Sequence, residues 1–197
     1  MKRFLSVLSA ALLAAALSLP AAAQYSPSSD YMAQMLSAVC SGAYEEGRAA
    51  AAKRAEKIAR MHLEYPPVDF DELWLLSKII CAEAGSVWLP MSWKMAVGEV
   101  VLNRVASPEF PGTMREVLEQ PGQYYGKDNP YFDALIPSPV CAEAARRLLE
   151  GERVLNAPSV VFQSNYILGS GVFLELRDEL LGSTYLCFSS RPELYET

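Results

Sequence analysis

The sequence predicts an α+β domain that is mostly α, with a small antiparallel sheet late in the chain. Three observations predict it. Apolar residues recur at helical spacing through most of the first 150 positions. Helix-start signals (Asp69, Thr113, Ser138-Pro139) stand ahead of those stretches. Only Ser159 to Gln163 and Thr184 to Phe188 are short runs rich in β-branched and aromatic residues. At 197 residues, 51% hydrophobic and 20% charged, the chain has the length and composition of one folded domain.

The elements follow in order. Lys2 and Arg3, the apolar run Phe4 to Leu19 and Ala21-Ala22-Ala23 before Gln24 read as an export signal over residues 1–23. The run is shorter than the ~20 residues of a spanning helix, so no integral membrane segment is expected after cleavage; an uncleaved anchor is the alternative. No Cys follows the cleavage site, so no lipid anchor is indicated. Residues 24–67 form an N-terminal helical segment and linker. Ser28 to Leu63 reads as two helices separated by Gly42, with Arg48, Lys53, Arg54, Lys57 and Arg60 on a solvated face of the second. Pro66-Pro67 marks a boundary, and the main domain spans 68–190, with a tail over 191–197.

Within that domain, Asp69 and Glu72 give a capping-box-like start to an apolar helix running to about Ala84, where Gly85 ends it. A second helix from Pro90 or Ser92 buries Trp93, Ala96, Val97, Val100, Val101 and Val105. Thr113 with Glu116 caps a short helix, Pro121-Gly122 turns the chain, and Ser138-Pro139 opens a helix that Gly151 closes. Gly169 and Gly171 lie in the connection between the two strands.

Counts exclude several chemistries. The net charge of -6 lacks the basic footprint of nucleic-acid binding, so no nucleic acid is expected as partner. One histidine, His62, rules out two-imidazole metal sites and leaves a Ser or Cys triad only if His62 is the base. It reads as a surface residue at a helix C-terminus. Cys40, Cys81, Cys141 and Cys187 match no zinc spacing and allow three pairings; buried free thiols are the expected state, with one bridge the alternative. No metal and no cofactor is implied.

Glu83 is the residue that physical reasoning singles out. It sits between Ala82 and Ala84 at the end of a very apolar helix, where burial and the negative end of the helix dipole both favour its protonated form. A protonated carboxyl near neutral pH is what glycoside cleavage uses as general acid. Simple exposure in a last helical turn is the commoner alternative. Gln163 and Asn165 occupy alternate strand positions and present amides to one face. Gln123-Tyr124-Tyr125 joins hydrogen-bonding ends to ring surface beside the Pro-Gly turn, and Tyr131, Phe132 and Tyr166 are further ring candidates, with core packing the alternative for each.

The blocks Ala82-Glu83-Ala84-Gly85 with its flanks, Val100-Val101-Leu102-Asn103-Arg104-Val105, Ser107-Pro108-Glu109-Phe110-Pro111 and Gln120-Pro121-Gly122-Gln123-Tyr124 stand in order. Together with the stretch Val160 to Phe188, they resemble the SleB-type cell wall hydrolase family over about Asp69 to Ser190. The resemblance implies a lysozyme-like helical core with a small β element flanking a glycan groove, and Glu83 as the family's catalytic Glu. It also implies that Gln123 and Tyr124 line the groove; Asn103 is expected to satisfy backbone groups near a helix end. The chain departs from the family at Cys81, where an aromatic is common and buried filler is the expected role, and by lacking His in Leu181 to Phe188 and near Gln163. Glu99 stands where small residues are usual, with a solvated helix face as its expected place.

The implied activity is cleavage of the β-1,4 glycan strands of peptidoglycan outside the cytoplasm, at the cell wall or in the medium. A lytic transglycosylase needs one carboxylate, whereas a hydrolytic glucosaminidase or muramidase usually needs a second. Asp128, Asp133, Glu99 and Glu175 are weak candidates for the second, and a non-catalytic glycan-binding wall module is the alternative from another class.

Overall fold

The computed structural model describes residues 27–63, 68–124 and 130–195. The export signal at 1–23, the Pro66-Pro67 boundary, Tyr125 and Asp128 lie outside the described residues. Those described form a mostly helical α+β structure: seven α-helices, then a three-stranded antiparallel sheet. None of these helices is long and apolar enough to cross a membrane.

Helices α1 (Pro27–Ser41) and α2 (Tyr44–Met61) are parted at Gly42, whose φ of 76° is left-handed backbone that glycine adopts without strain. His62 caps α2 at the surface. Helix α1 does not stand apart from the domain, since Met35 and Val39 join the same core as Leu73, Leu76 and Ile80. Arg54 departs from the expected solvated face of α2 and is buried.

Helix α3 (Phe70–Ala84) starts where the Asp69 carboxylate accepts the Glu72 N–H at 3.0 Å. Helix α4 (Met91–Ala106) crosses the middle of the core. It packs so closely that a Cβ on Gly98 would lie 2.5 Å from Leu148 Cδ1 and 2.7 Å from Ile80 Cδ1. The short α5 (Met114–Leu118) is capped by Thr113, as its sequence predicts, whereas α6 (Pro130–Ala134) has no counterpart in the predicted elements. Helix α7 (Pro139–Leu149) starts at the Ser138 cap and packs on both α3 and α4.

The sheet has the order β1 (Val160–Ser164), β3 (Gly182–Phe188), β2 (Val172–Asp178). Sequence reading places only a connection where β2 runs. Val172, Phe173 and Leu174 are consecutive, all are partly exposed, and the register shifts between Val172 and Leu174, so the period-two signal of a half-buried strand is lost. A 3₁₀ turn (Pro192–Leu194) then brings Tyr195 back to the domain, where its hydroxyl donates to Glu109 Oε1 at 2.7 Å.

Glu99 corrects a second expectation. It is 1% exposed rather than on a solvated face. Its Oε2 accepts the N–H groups of Val154 (2.6 Å) and Leu155 (2.9 Å), and Oε1 accepts that of Asn156 (3.0 Å). The carboxylate thus organises the turn leading from α7 into β1. Leaving buried donors without partners costs roughly 1–3 kcal/mol each. Glu99→Ala is therefore expected to lower unfolding stability by at least about 2 kcal/mol in urea titrations; a loss below about 0.5 kcal/mol would contradict the clamp.

Candidate active site

Glu83 lies in the last turn of α3. The helix stops at Gly85, but without the left-handed backbone expected of a glycine cap: its φ is -71°. Glycine is required there for space, because a Cβ would meet the Cys81 carbonyl oxygen at 2.1 Å. The end of α3 is then secured from α4. Lys94, 1% exposed, donates from Nζ to Ala84 O at 2.6 Å and Ser86 O at 2.7 Å. Its charge satisfies terminal carbonyls and complements the negative end of the helix dipole, so the turn carrying Glu83 is fixed in place.

Glu83 opens into a cleft of about 420 Å³. The α3 terminus with Cys81 and Ser86 lines one side, Tyr131 and Leu135 from the α6 region another, and Leu181 from the β2–β3 turn a third. Gln163 on β1 donates from Nε2 to Glu83 Oε2 at 3.3 Å. Glu83 is exposed to solvent at the cleft, yet the surrounding protein withdraws enough water from its carboxyl group to raise its pKa above the ordinary carboxylate value.

Tyr124 comes close enough to feel that charge. Burial pushes its hydroxyl up to about 12, with the Arg104 charge opposing the shift and the Glu83 charge adding to it. The Arg104 guanidinium lies 4.9 Å from the Tyr124 ring centroid, 5.0 Å from Phe110 and 5.8 Å from Phe162, and its Nε donates to Val161 O at 2.5 Å. This stack joins α4, the loop at Phe110, the Pro-Gly turn and β1. Asn103, near the end of α4, satisfies backbone groups as expected, but those of another segment: it donates to Ala157 O (3.0 Å) and Val160 O (2.9 Å) at the entry to β1. The Tyr124 hydroxyl and Gln163 Oε1 are buried without a protein partner.

Of the sequence-predicted residues, the fold thus gathers Glu83, Tyr124 and Gln163. Gln123 is exposed on its turn, and Asn165 is exposed just beyond the end of β1; no contact joins either to Glu83. Tyr131, 61% exposed, lines the cleft, whereas Tyr166 is exposed outside its lining. Sequence reasoning missed Lys94 and also Trp88, a ring 58% exposed on the loop five residues after Glu83. An aromatic in the loop directly after the A-E-A-G block was the available signal for Trp88; nothing local marks Lys94 as buried.

Among the described residues lining the cleft, Glu83 is the only carboxylate. Glu175 is exposed on β2 and accepts from Ser183 Oγ at 2.6 Å. Asp133 lines a different cleft, of about 450 Å³, with Trp74, Lys78 and Arg115. Cys81, expected as buried filler, is half-exposed on the floor beside Glu83; Cys40 is also half-exposed, Cys141 and Cys187 are buried, and all four are free thiols. No group of three His, Cys, Asp or Glu side chains among the described residues is arranged to hold a metal ion.

Residues 90–170 match the family model described as Cell Wall Hydrolase. The matched segment takes in Lys94, Arg104, Tyr124 and Gln163 and begins after Glu83. No curated protein and no solved structure matches the chain.

The raised pKa of Glu83 has a definite sign for stability. Folding favours its protonated form, so its contribution is fully present below the unfolded carboxylate pKa and is lost as pH rises through the folded value. Glu83→Gln removes that pH-dependent loss. Unfolding titrations should find the variant gaining on the wild-type protein between pH 4 and 8, with the difference growing as pH rises. A difference that shrinks over that range would show that Glu83 is stabilised as the anion.

Proposed function

We propose that the chain is an extracytoplasmic enzyme that cuts the β-1,4 glycan strands of peptidoglycan, with Glu83 as its general acid. The carrying observation is one carboxyl group with a raised pKa, open to a cleft and bonded by Gln163. The cell wall hydrolase match over residues 90–170 supports the substrate class, and the SleB-type resemblance supports the role of Glu83. A lysozyme-like arrangement, helices on one side of the groove and a small sheet on the other, accords with α3 and the β2–β3 turn facing the same cleft.

In this reading Glu83 protonates the departing glycosidic oxygen and then, as a carboxylate, takes a proton from the attacking hydroxyl. Gln163 holds the carboxyl group in position through Oε2. The exposed rings of Tyr131 and Trp88 offer apolar faces for sugars. The 6-hydroxyl of muramic acid is the attacking group, because the described lining holds no second carboxylate to direct water to the anomeric carbon. Attack within one sugar also gains from proximity, worth up to ~7–11 kcal/mol in well-oriented cases. The proposed reaction is therefore lytic transglycosylation, and the signal at residues 1–23 would deliver the enzyme to its substrate.

Purified peptidoglycan tests this directly. The chain lacking residues 1–23 should release soluble fragments, and Glu83→Gln should release them ~10²–10⁴-fold more slowly. A folded Glu83→Gln variant with full activity would remove Glu83 from the mechanism. Retained glycan pull-down by that variant, beside an inactive wild-type chain, would point to a wall-binding module. His62→Ala should keep its activity, since His62 is a surface helix cap.

The products discriminate the reaction. Transglycosylation leaves 1,6-anhydromuramic ends, about 18 mass units lighter than hydrolysed ends because no water is added. Such ends resist borohydride and take up no label from ¹⁸O-water. Labelled, reducible ends would establish hydrolysis, and the sugar carrying them would distinguish a muramidase from a glucosaminidase.

A further inference from the structure

Three of the four cysteines belong to the core cluster behind the Glu83 cleft, and one of them, Cys81, lines the cleft itself, a grouping the proposed chemistry does not use. Cys40 comes from the end of α1, Cys81 from α3 and Cys141 from the first turn of α7; all three belong to one packed cluster. Cys81 and Cys141 lie in this cluster where α3 packs on α7, near enough for each thiol to shift the other's ionisation. Cys81 lines the cleft beside Glu83 and is half-exposed, whereas Cys141 is buried behind it. Ser138, the cap of α7, donates from Oγ to Cys141 Sγ at 3.2 Å. Cys187 lies apart on β3 and is buried.

We propose that Cys81 and Cys141 are a thiol–disulfide pair and a covalent modification site for low-molecular-weight disulfides, with Cys81 as the attacking sulfur and Cys141 as the resolving one. The pairing follows from access and packing: of the cysteines only Cys81 lines the cleft, and Cys141 is buried in the same cluster where α7 packs on α3. The environment suits these roles. The neighbouring Cys141 thiol, Ser138 and the Lys94 charge together lower the Cys81 thiol below its ordinary value against the opposing effect of burial, which favours its thiolate. The neighbouring Cys81 together with burial holds the Cys141 thiol well above its ordinary value. Burial and the nearby Cys81 charge raise Cys40 as well, leaving it a protonated neighbour.

The exchange balances without other reagents. The Cys81 thiolate attacks one sulfur of a disulfide RSSR, forming Cys81–S–SR and expelling RS⁻. Cys141 then loses its proton and attacks the Cys81 sulfur, expelling the second RS⁻ and leaving Cys81–S–S–Cys141. Two protein electrons have reduced RSSR to two thiols. The extracytoplasmic setting proposed above is one in which such oxidants persist.

The link ties α3 to α7 two residues before Glu83. It pulls the Cys81 side chain away from the cleft and disturbs the turn that holds the acid. This functional consequence rests on the proposed glycan cleavage; the chemistry of the pair does not.

The probe is glutathione disulfide, added to the reduced chain lacking residues 1–23 and followed by intact mass and peptide mapping. The expected product is about 2 mass units lighter, with Cys81 joined to Cys141. Cys141→Ser should instead stop at one adduct on Cys81, about 305 mass units heavier, and Cys81→Ser should block both products. A wild-type chain that keeps its thiols free, stops at the single adduct or joins Cys81 to Cys40 overturns the proposal, and mapping of the wild-type chain alone gives this answer if a variant fails to fold. Fragment release should fall at least ~5-fold on oxidation and return with dithiothreitol, and Cys141→Ser should match the reduced wild-type rate. A mapped disulfide with unchanged release overturns the functional consequence. A mapped disulfide on a chain that releases no fragments even when reduced sinks glycan cleavage and leaves the thiol chemistry standing.

Discussion

Buried charges on α4, bonded to main-chain groups of other elements, hold the cleft together. Lys94, Glu99 and Arg104 are each almost fully withdrawn from solvent, and none relies on a charged partner among the contacts described. Lys94 grips the end of α3, Glu99 the turn before β1, and Arg104 the strand itself. Burying a charge is costly unless its donors or acceptors are matched, so each of these side chains specifies one arrangement of the backbone it binds. Glu83 and Gln163 stand 80 positions apart in sequence and meet because both of their elements are fastened to the same helix.

This arrangement also explains how a carboxyl group can be open to a ligand and still disfavour its charge. Its neighbours on α3 are small, and the walls of the cleft are largely aliphatic side chains with one ring, Tyr131. The nearest basic groups spend their donors elsewhere: Lys94 on carbonyls beneath the turn, Arg104 on Val161 and three aromatic faces. The one donor that reaches Glu83 is a neutral amide. A charged donor in the place of Gln163 would stabilise the anion and lower the pKa that general acid chemistry requires.

What was legible in the sequence was local. Caps at Asp69, Thr113 and Ser138 announce themselves within four residues, and the structure places helices α3, α5 and α7 behind them. Glu83 was legible because its apolar helix and small neighbours are contiguous with it. Lys94 and Glu99 were not, because a charged side chain on a helix reads as surface until the element that covers it is known. Strand β2 and helix α6 were missed for related reasons: one lacks alternation and the other is a single short turn packed between larger elements. Strand alternation put Gln163 on the face that meets Glu83, but β1 ends at Ser164, so the same rule could not carry Asn165 with it.

The double grip of Lys94 on Ala84 and Ser86 sets how the α3–α4 connection can change length. Both carbonyls flank Gly85, where even a methyl group would strike the Cys81 carbonyl, so an inserted residue between 84 and 86 would break the ammonium contacts and swing Glu83 off the cleft. Two residues further on the ties are fewer: one long turn bond, from Leu89 N–H to Ser86 O at 3.3 Å, spans 87–88. Val87 and Trp88 project into solvent at 87% and 58% exposure, and the chain is not anchored again until the buried Leu89. Insertions are tolerated where backbone and side chains are free of such ties. The connection is thus a rigid hinge joined to an extensible tip, and the chain beside the cleft can be lengthened or decorated at 87–88 while Glu83 keeps its position.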